Sequence, residues 1–195
     1  AAPTLNSPAN TFTGIFTFSG GSPVTSGFGY DGHGNQNTVT DPAGATWTST
    51  YNLLGQVTAK TDPDAGSTTG MTYDGNGNLL QSTDARGKTI SYTYDALNRK
   101  TGKYAATVAD QSTTNQLASW VYDNANNAVV GMRYPIGQLT TATAYWGDNR
   151  DAYTVQQRNF NIFGKSLGQT ITIPAVEGLL AGAYTFTYVY TATTG

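Results

Sequence analysis

A tyrosine returns about every 21 residues, with an aspartate or asparagine directly behind it. Tyr30-Asp31, Tyr51-Asn52, Tyr73-Asp74 and Tyr94-Asp95 follow one another at steps of 21, 22 and 21 residues. A fixed period of about 20–50 residues marks a repeat architecture, in which each copy is one supersecondary unit stacked on the next. Such an array makes surfaces, spacers or containers, whereas an active site needs singular residues.

One copy can be read residue by residue. Asp74-Gly75-Asn76-Gly77 is a turn, because Gly and Asn tolerate positive φ. Asn78 to Thr83 reads as a strand, Asp84-Ala85-Arg86-Gly87 as a second turn, and Lys88 to Tyr94 as a second strand. In that strand Ile90, Tyr92 and Tyr94 alternate with Thr89, Ser91 and Thr93, the period of two expected of a sheet. The second face, rich in Thr and Ser, is expected to meet water or a polar lumen. Thr46 to Tyr51 and Gln56 to Thr61 fit as strands. Asp41-Pro42-Ala43-Gly44 and Asp62-Pro63-Asp64-Ala65-Gly66 fit the second turn. Trp47, Ser49 and Tyr51 share a face, as do Trp120 and Tyr122. No helix longer than a turn is expected, since Gly, Asn and β-branched Thr leave no apolar stripe of helical period.

After Tyr94 the period loosens. Tyr122-Asp123-Asn124-Ala125 comes 28 residues later, and Phe160-Asn161-Ile162-Phe163-Gly164-Lys165 reads as a copy with Phe for Tyr and Asn for Asp. Tyr184 to Gly195 reads as a strand running toward another turn, so the chain is expected to be part of a longer array. Three segments follow: 1–27 as a β cap or leading hairpin, with Phe12, Gly14, Phe16 and Phe18 on one face; 28–104 as regular repeats; and 105–195 as degenerate repeats.

Composition narrows the function classes. Charged residues make up 11% of the chain, against about 25% in an ordinary soluble domain. The ten Lys and Arg are scattered and the net charge is −2, which argues against nucleic acid or an anionic membrane as partner. No apolar run approaches the roughly 18–20 residues of a membrane-spanning helix. The absence of cysteine excludes disulfides and thiolate metal sites, and suits a bacterial exported protein. The start, Ala1-Ala2-Pro3-Thr4, has neither Met nor the segments of a signal peptide, which suggests a processed or excised piece.

At Tyr73-Asp74-Gly75-Asn76-Gly77-Asn78-Leu79 and Tyr92-Thr93-Tyr94-Asp95-Ala96-Leu97-Asn98-Arg99 the chain resembles the tyrosine–aspartate (YD) repeats of the RHS family. That family includes bacterial polymorphic toxins, shell components of insecticidal toxin complexes and animal teneurins. The resemblance covers Phe28 to Tyr104 well, Trp120 to Gly195 in degenerate form, and 1–27 not at all. It implies an all-β fold of consecutive antiparallel hairpins in a curved or spiralling sheet, part of a hollow shell that encloses or presents another domain. It implies secretion or a place on the bacterial surface. The partners implied are other parts of one long chain or an enclosed cargo. The Asp-Pro-rich self-cleaving core of toxin members is absent; Asp41-Pro42-Ala43-Gly44 matches only its first fragment and is equally a repeat turn.

Residues that suggest chemistry have an ordinary explanation beside the sharper one. Asp74 and Asp31 open strings like a calcium loop, but its twelfth position, a bidentate Glu, is Ala85 in one and Pro42 in the other. His33 is the only histidine, lies between glycines, and lacks the partners of a catalytic triad. Asp62 and Asp64 could form a glycosidase pair, yet an Asp that recurs in turns is better explained as an acceptor for backbone N–H groups. Glu177, the only glutamate, could promote a Lys–Asn isopeptide bond, but no such pair is placed beside it. No enzyme, cofactor or metal site is therefore expected. Tyr30, Asp31, Tyr51, Tyr73, Asp74, Gly77, Tyr94, Asp95, Tyr122 and Asp123 are the repeat-defining structural residues. Trp47, Trp120, Tyr145 and Trp146 are candidates for stacking on sugars, which makes a glycan-binding module the second reading. Open sheet edges add an expectation of self-association.

Overall fold

The computed structural model describes residues 11–16 and 24–190. It divides into two compact units, the first running through Ile90 and the second from Ser91. The first unit contains β1 (Thr11–Phe16), β2 (Val24–Tyr30), β3 (Gln36–Thr40), β4 (Thr46–Tyr51), β5 (Val57–Asp62), β6 (Gly66–Tyr73) and β7 (Leu79–Thr83). The boundary falls inside β8 (Thr89–Tyr94). The second unit continues with β9 (Lys100–Tyr104), β10 (Gln116–Tyr122), β11 (Leu139–Trp146), β12 (Asp151–Gln157), β13 (Gly168–Ile173) and β14 (Gly182–Thr187). Within each unit the strands lie side by side in chain order, each antiparallel to the one before it. The architecture is all-β, a succession of hairpins. Among the described residues helix is confined to short 3-10 turns at Val108–Asp110 and Ala175–Leu180.

β1 pairs with β2, with Phe12 opposite Phe28; Thr17 and Phe18 lie outside the described residues. The last strand ends at Thr187; residues 188–190, expected to continue it, are not strand, and 191–195 lie outside the described residues.

Seven turns share one geometry, opened by Asp31, Asp41, Asn52, Asp74, Asp84, Asp95 and Asn161. At Asp74 the backbone N–H donates to the carbonyl of Asn78 at 3.0 Å, and Gly77 N–H returns a bond to the Asp74 carbonyl at 3.1 Å. The side-chain Oδ1 accepts the N–H groups of Asn76 and Asn78 at 2.9 and 2.8 Å. The same four bonds recur at the other six turns. The fourth residue must take positive φ: it is Gly in six turns and Asn98, at 62°, in the seventh. This is the three-residue hairpin loop whose last residue is left-handed. Asn161 builds the turn as the Asp residues do, because one carboxamide oxygen suffices to accept both N–H groups.

The turns that follow a tyrosine are also bulged. Tyr30 pairs with Gln36 while Gly29 pairs with Thr38, so Asn37 is an extra residue. Thr58, Leu80, Thr101 and Thr140 are extra at the equivalent place after Tyr51, Tyr73, Tyr94 and Tyr122. A bulge bends its strand and increases the local twist. The Asp41 turn lacks one: Thr40 pairs with Thr46 and Val39 with Trp47.

A single layer of sheet has little two-sided core. Phe160, 4% exposed, is the only buried large apolar side chain among the described residues. One expectation needs correction here. Ser91 belongs to the face expected to meet water or a lumen, yet it is fully buried, as is Thr140. Gln111, beyond the 3-10 turn at Val108–Asp110, lies over Ser91 and donates to its hydroxyl at 2.8 Å. Thr140, the bulge residue, turns inward and donates to the Val121 carbonyl at 3.0 Å. Elsewhere hydroxyls of this composition meet in cross-strand pairs. These are Thr40–Thr46, Thr50–Thr58, Thr61–Ser67 and Thr83–Thr89 in the first unit, and Thr93–Thr101, Thr143–Thr154 and Thr170–Thr185 in the second. Such pairs contribute roughly 0.2–1 kcal/mol each to a sheet.

Candidate functional site

The repeat tyrosines staple successive hairpins together. Tyr51 donates its hydroxyl to the carbonyl of Gln36 at 2.6 Å, and Tyr73 to that of Val57 at 2.7 Å. Both carbonyls belong to the first residue beyond the preceding turn. In the second unit Tyr190 makes the same contact with Ser166, the residue after the Asn161 turn, at 2.7 Å.

The repeat carboxylates are committed to turns. Asp31 is held below the usual carboxylate range, chiefly by the Asn35 side chain, and Asp74 in the same way by Asn78. Asp84 is lowered first by the Arg86 guanidinium. Asp62 is lowered by the N–H groups of Asp64 and Ala65, at 2.8 and 3.1 Å, so the proposed Asp62–Asp64 pair is one more turn. His33 lies in the turn, and its backbone N–H donates to Asp31 Oδ1 at 2.9 Å.

Asp123 differs. Its backbone N–H bonds to the carbonyl of Gln138, fifteen residues on rather than four, so eleven residues are inserted into this turn. The insertion is closed at its base. Gly137 N–H donates to Asp123 Oδ1 at 2.6 Å, and Arg99 reaches Asp123 Oδ2 at 2.6 Å while also holding Asp95 Oδ2 at 2.7 Å. The same guanidinium lies 4.3 Å from the centre of the Tyr122 ring. Arg99 lowers Asp123, and the two carboxylates push the guanidinium pKa up. Val130, Tyr134 and Ile136 of the insertion are exposed.

One face of the second unit forms a trough. Ala118, Ala142 and Ala144 make its floor; Trp120 walls one side and Tyr153, Val155, Ile171 and Ile173 the other, around roughly 340 Å³. The register puts these residues on one face: Ala118 opposite Ala144, Trp120 opposite Ala142, Ala144 opposite Tyr153 and Val155 opposite Ile171. Tyr153 donates its hydroxyl to Glu177 Oε1, a bond that pushes the Tyr153 pKa up.

The four candidate sugar-stacking residues do not gather in one place. Trp47 is in the first unit, with its indole near Asp62. Trp120 is the trough wall. Trp146 shares that face and is 76% exposed. Tyr145 points to the opposite face, where its hydroxyl meets Ser119 at 3.3 Å and the Arg150 guanidinium covers its ring at 4.7 Å. Among the described residues no group of three or more His, Asp or Glu is arranged to hold a metal ion, and no helix is long and apolar enough to cross a membrane. The staples, the Arg99 clamp and the trough went unseen in the sequence; the Tyr-Asp period was the only signal pointing to any of them.

The RHS Repeat family model matches residues 30–68, 51–89 and 73–107. No curated protein matches the chain in sequence. Among solved structures, that of TcdB2-TccC3-Cdc42 matches with a TM-score of 0.64 and 18% identity, over 95% of this chain and 10% of that one. TcdB2-TccC3 without its hypervariable C-terminal region matches with a TM-score of 0.63 at 18% identity, over 95% and 10%. The Photorhabdus luminescens Tc holotoxin pore matches with a TM-score of 0.62 at 18% identity, over 96% and 10%. The chain thus spans about a tenth of the length of the structures it matches, and at this identity the likeness is one of fold.

Proposed function

We propose, from the match of residues 30–107 to the RHS Repeat family model, that this chain is a non-enzymatic wall segment of a secreted or surface-located shell or scaffold. The wall encloses or presents another domain of the same long chain. The observation that carries this reading is the commitment of the recurring residues to the fold. The repeat Asp residues close turns and the repeat Tyr hydroxyls staple hairpins, as at Tyr73 and Val57. The carboxylates best placed in sequence for hydrolysis, Asp62 and Asp64, belong to a turn as well. We keep the division into 1–27, 28–104 and 105–195 as a reading of repeat regularity: six of the seven standard turns lie between Asp31 and Asn98, and the insertion after Asp123 comes later.

Electron microscopy of the full-length protein that carries this segment is the test. The expected result is a hollow particle with these hairpins in its wall. A particle without a lumen would overturn the container role.

A glycan-binding module is the second reading, favoured by the exposure of Trp146. It requires a saturable response on a glycan array that Trp146→Ala abolishes. Self-association through strand edges is a further part of the proposal, and a particle that stays monomeric at high concentration would count against it.

A further inference from the structure

The alanine-floored trough of the second unit is an unusual feature for a wall. Large side chains stand on either side of a strand that carries Ala142 and Ala144, so the floor is low where its neighbours are high. A volume of roughly 340 Å³ lies at the small end of ligand pockets. The concavity is lined by apolar side chains, apart from the Tyr153 hydroxyl and the threonines of the neighbouring positions.

Charge at the rim is polarised. Asp151 lies opposite Trp146 on the trough face, two residues before Tyr153, and Glu177 accepts the Tyr153 hydroxyl. Neither carboxylate belongs to any of the three salt bridges among the described residues. Nearby cations are engaged elsewhere. Arg150 lies over Tyr145 on the other face and donates to the carbonyls of Thr114 and Gln116, and Arg99 is held by Asp95 and Asp123. Lys103 stands opposite Ala118 at the far wall, three strand spacings or about 14 Å from the acidic end.

We propose that this trough binds an extended polypeptide stretch in which apolar side chains neighbour lysine or arginine, the apolar groups seated over Ala142 and Ala144 and a cation at Asp151 and Glu177. The chemistry selects against other occupants. A sugar would bring hydroxyls to a floor that offers them no partner, and their desolvation would go uncompensated. A fatty acid or nucleic acid would bring its anion toward two carboxylates. A peptide satisfies both features, since apolar contact supplies affinity and the acidic rim supplies selectivity. This inference goes beyond the shell reading and does not depend on it, because it concerns only the surface of the second unit.

The test titrates the 195-residue chain with the acetylated, amidated hexapeptide Leu-Lys-Leu-Lys-Leu-Lys, followed by tryptophan fluorescence and calorimetry. Its Leu-Glu and Leu-Ser counterparts are the comparisons. The Lys peptide is expected to bind saturably, about tenfold or more tighter than the Glu peptide, with a preference that falls as salt rises. Ala144→Leu fills the floor at an exposed position and should abolish binding while the melting curve is retained. Glu177→Gln keeps an acceptor for Tyr153 and should weaken the Lys peptide several-fold but not the Ser peptide. Equal binding of the Lys and Glu peptides would overturn the proposal. So would undiminished binding to a folded Ala144→Leu chain, or a concentration-dependent dimer that this substitution dissolves.

Discussion

The hydroxyl of Tyr73 donates a 2.7 Å hydrogen bond to the carbonyl oxygen of Val57, one hairpin back along the chain. That bond gives the repeat tyrosine a second function beside its ring. It fastens the Tyr73 turn to the strand that leaves the previous one, and Tyr51 on Gln36 and Tyr190 on Ser166 repeat the contact. In a sheet with almost no two-sided core, such contacts between successive hairpins take over part of what a core would do.

Tyr73→Phe should therefore destabilise the chain more than its loss of one atom suggests. The ring stays and the Val57 carbonyl loses its donor, a change worth roughly 0.5–1.5 kcal/mol. Tyr134→Phe is the control, because Tyr134 is exposed on the inserted loop. Urea midpoints of the two variants measure the difference; equal midpoints would show the staple to be idle.

A second expectation concerns acid. Asp31, Asp62, Asp74, Asp84 and Asp95 are all held below the usual carboxylate value by bonds made in the folded turns. A depressed folded pKa contributes stability that is fully present above the unfolded value near 3.9 and is lost as pH falls through the folded value. Melting temperature should hold steady between pH 5 and 8 and fall steeply below about pH 4. Asp74→Asn should remove part of that dependence while keeping the turn, since Asn161 forms the same turn without a charge. An unchanged acid limb in the variant would refute the assignment.

Two glycines separate backbone need from ordinary tolerance. A Cβ at Gly168 would stand 2.3 Å from the Phe186 carbonyl oxygen across the β13–β14 pair, at a φ of 151°. Gly168→Ala must push the strands apart and should cost about 1–3 kcal/mol. Gly75, second in the Asp74 turn, has open space around it. Gly75→Ala should be neutral or stabilising by up to about 1 kcal/mol through the unfolded chain. Thermal melts of the pair decide it.

What could be read in the sequence was what is made locally. The Asp74 and Asn161 turns close within five residues, so a polar acceptor followed three residues later by Gly discloses them even where Phe160 replaces Tyr. The staples depend on register between hairpins: nothing in the string at Tyr190 names Ser166 as its partner. Ser91 was misplaced for a related reason. Alternation assigns its face correctly, but Gln111, twenty residues on, decides that the face is covered there. The tryptophans show the same limit. Trp120 and Trp146 share a face, and whether either ring is exposed depends on the alanines, tyrosine and isoleucines of neighbouring strands. The bulge residues Asn37, Thr58, Leu80, Thr101 and Thr140 have no common identity, so only pairing reveals them.

Arg99 and Asp123 close the base of the inserted loop, and the loop should open when that contact is lost. Arg99 bridges Asp95 and Asp123 at 2.7 and 2.6 Å, and Asp123 also accepts Gly137 N–H across the mouth of the insertion. Arg99→Met removes both ion pairs and leaves the Asp123 carboxylate beside Asp95 without a cation. Cleavage within residues 124–136 by proteinase K at pH 7 should become faster than in the parent chain, while cleavage at the Asp74 turn should not change. Arg99→Lys restores one charge but not the forked geometry, and should fall between the two. Acid should act on the parent in the same direction. Asp123 has a lowered folded pKa, caused first by Arg99, so its contribution is intact above the ordinary carboxylate range and disappears as pH falls through the lowered value. Pepsin should cut the loop of the parent chain increasingly as pH drops below about 4, and the Arg99→Met loop with much weaker dependence on pH. If the variant's loop is as resistant as the parent's at pH 7, the Gly137 contact alone holds the insertion and the clamp has no part in it.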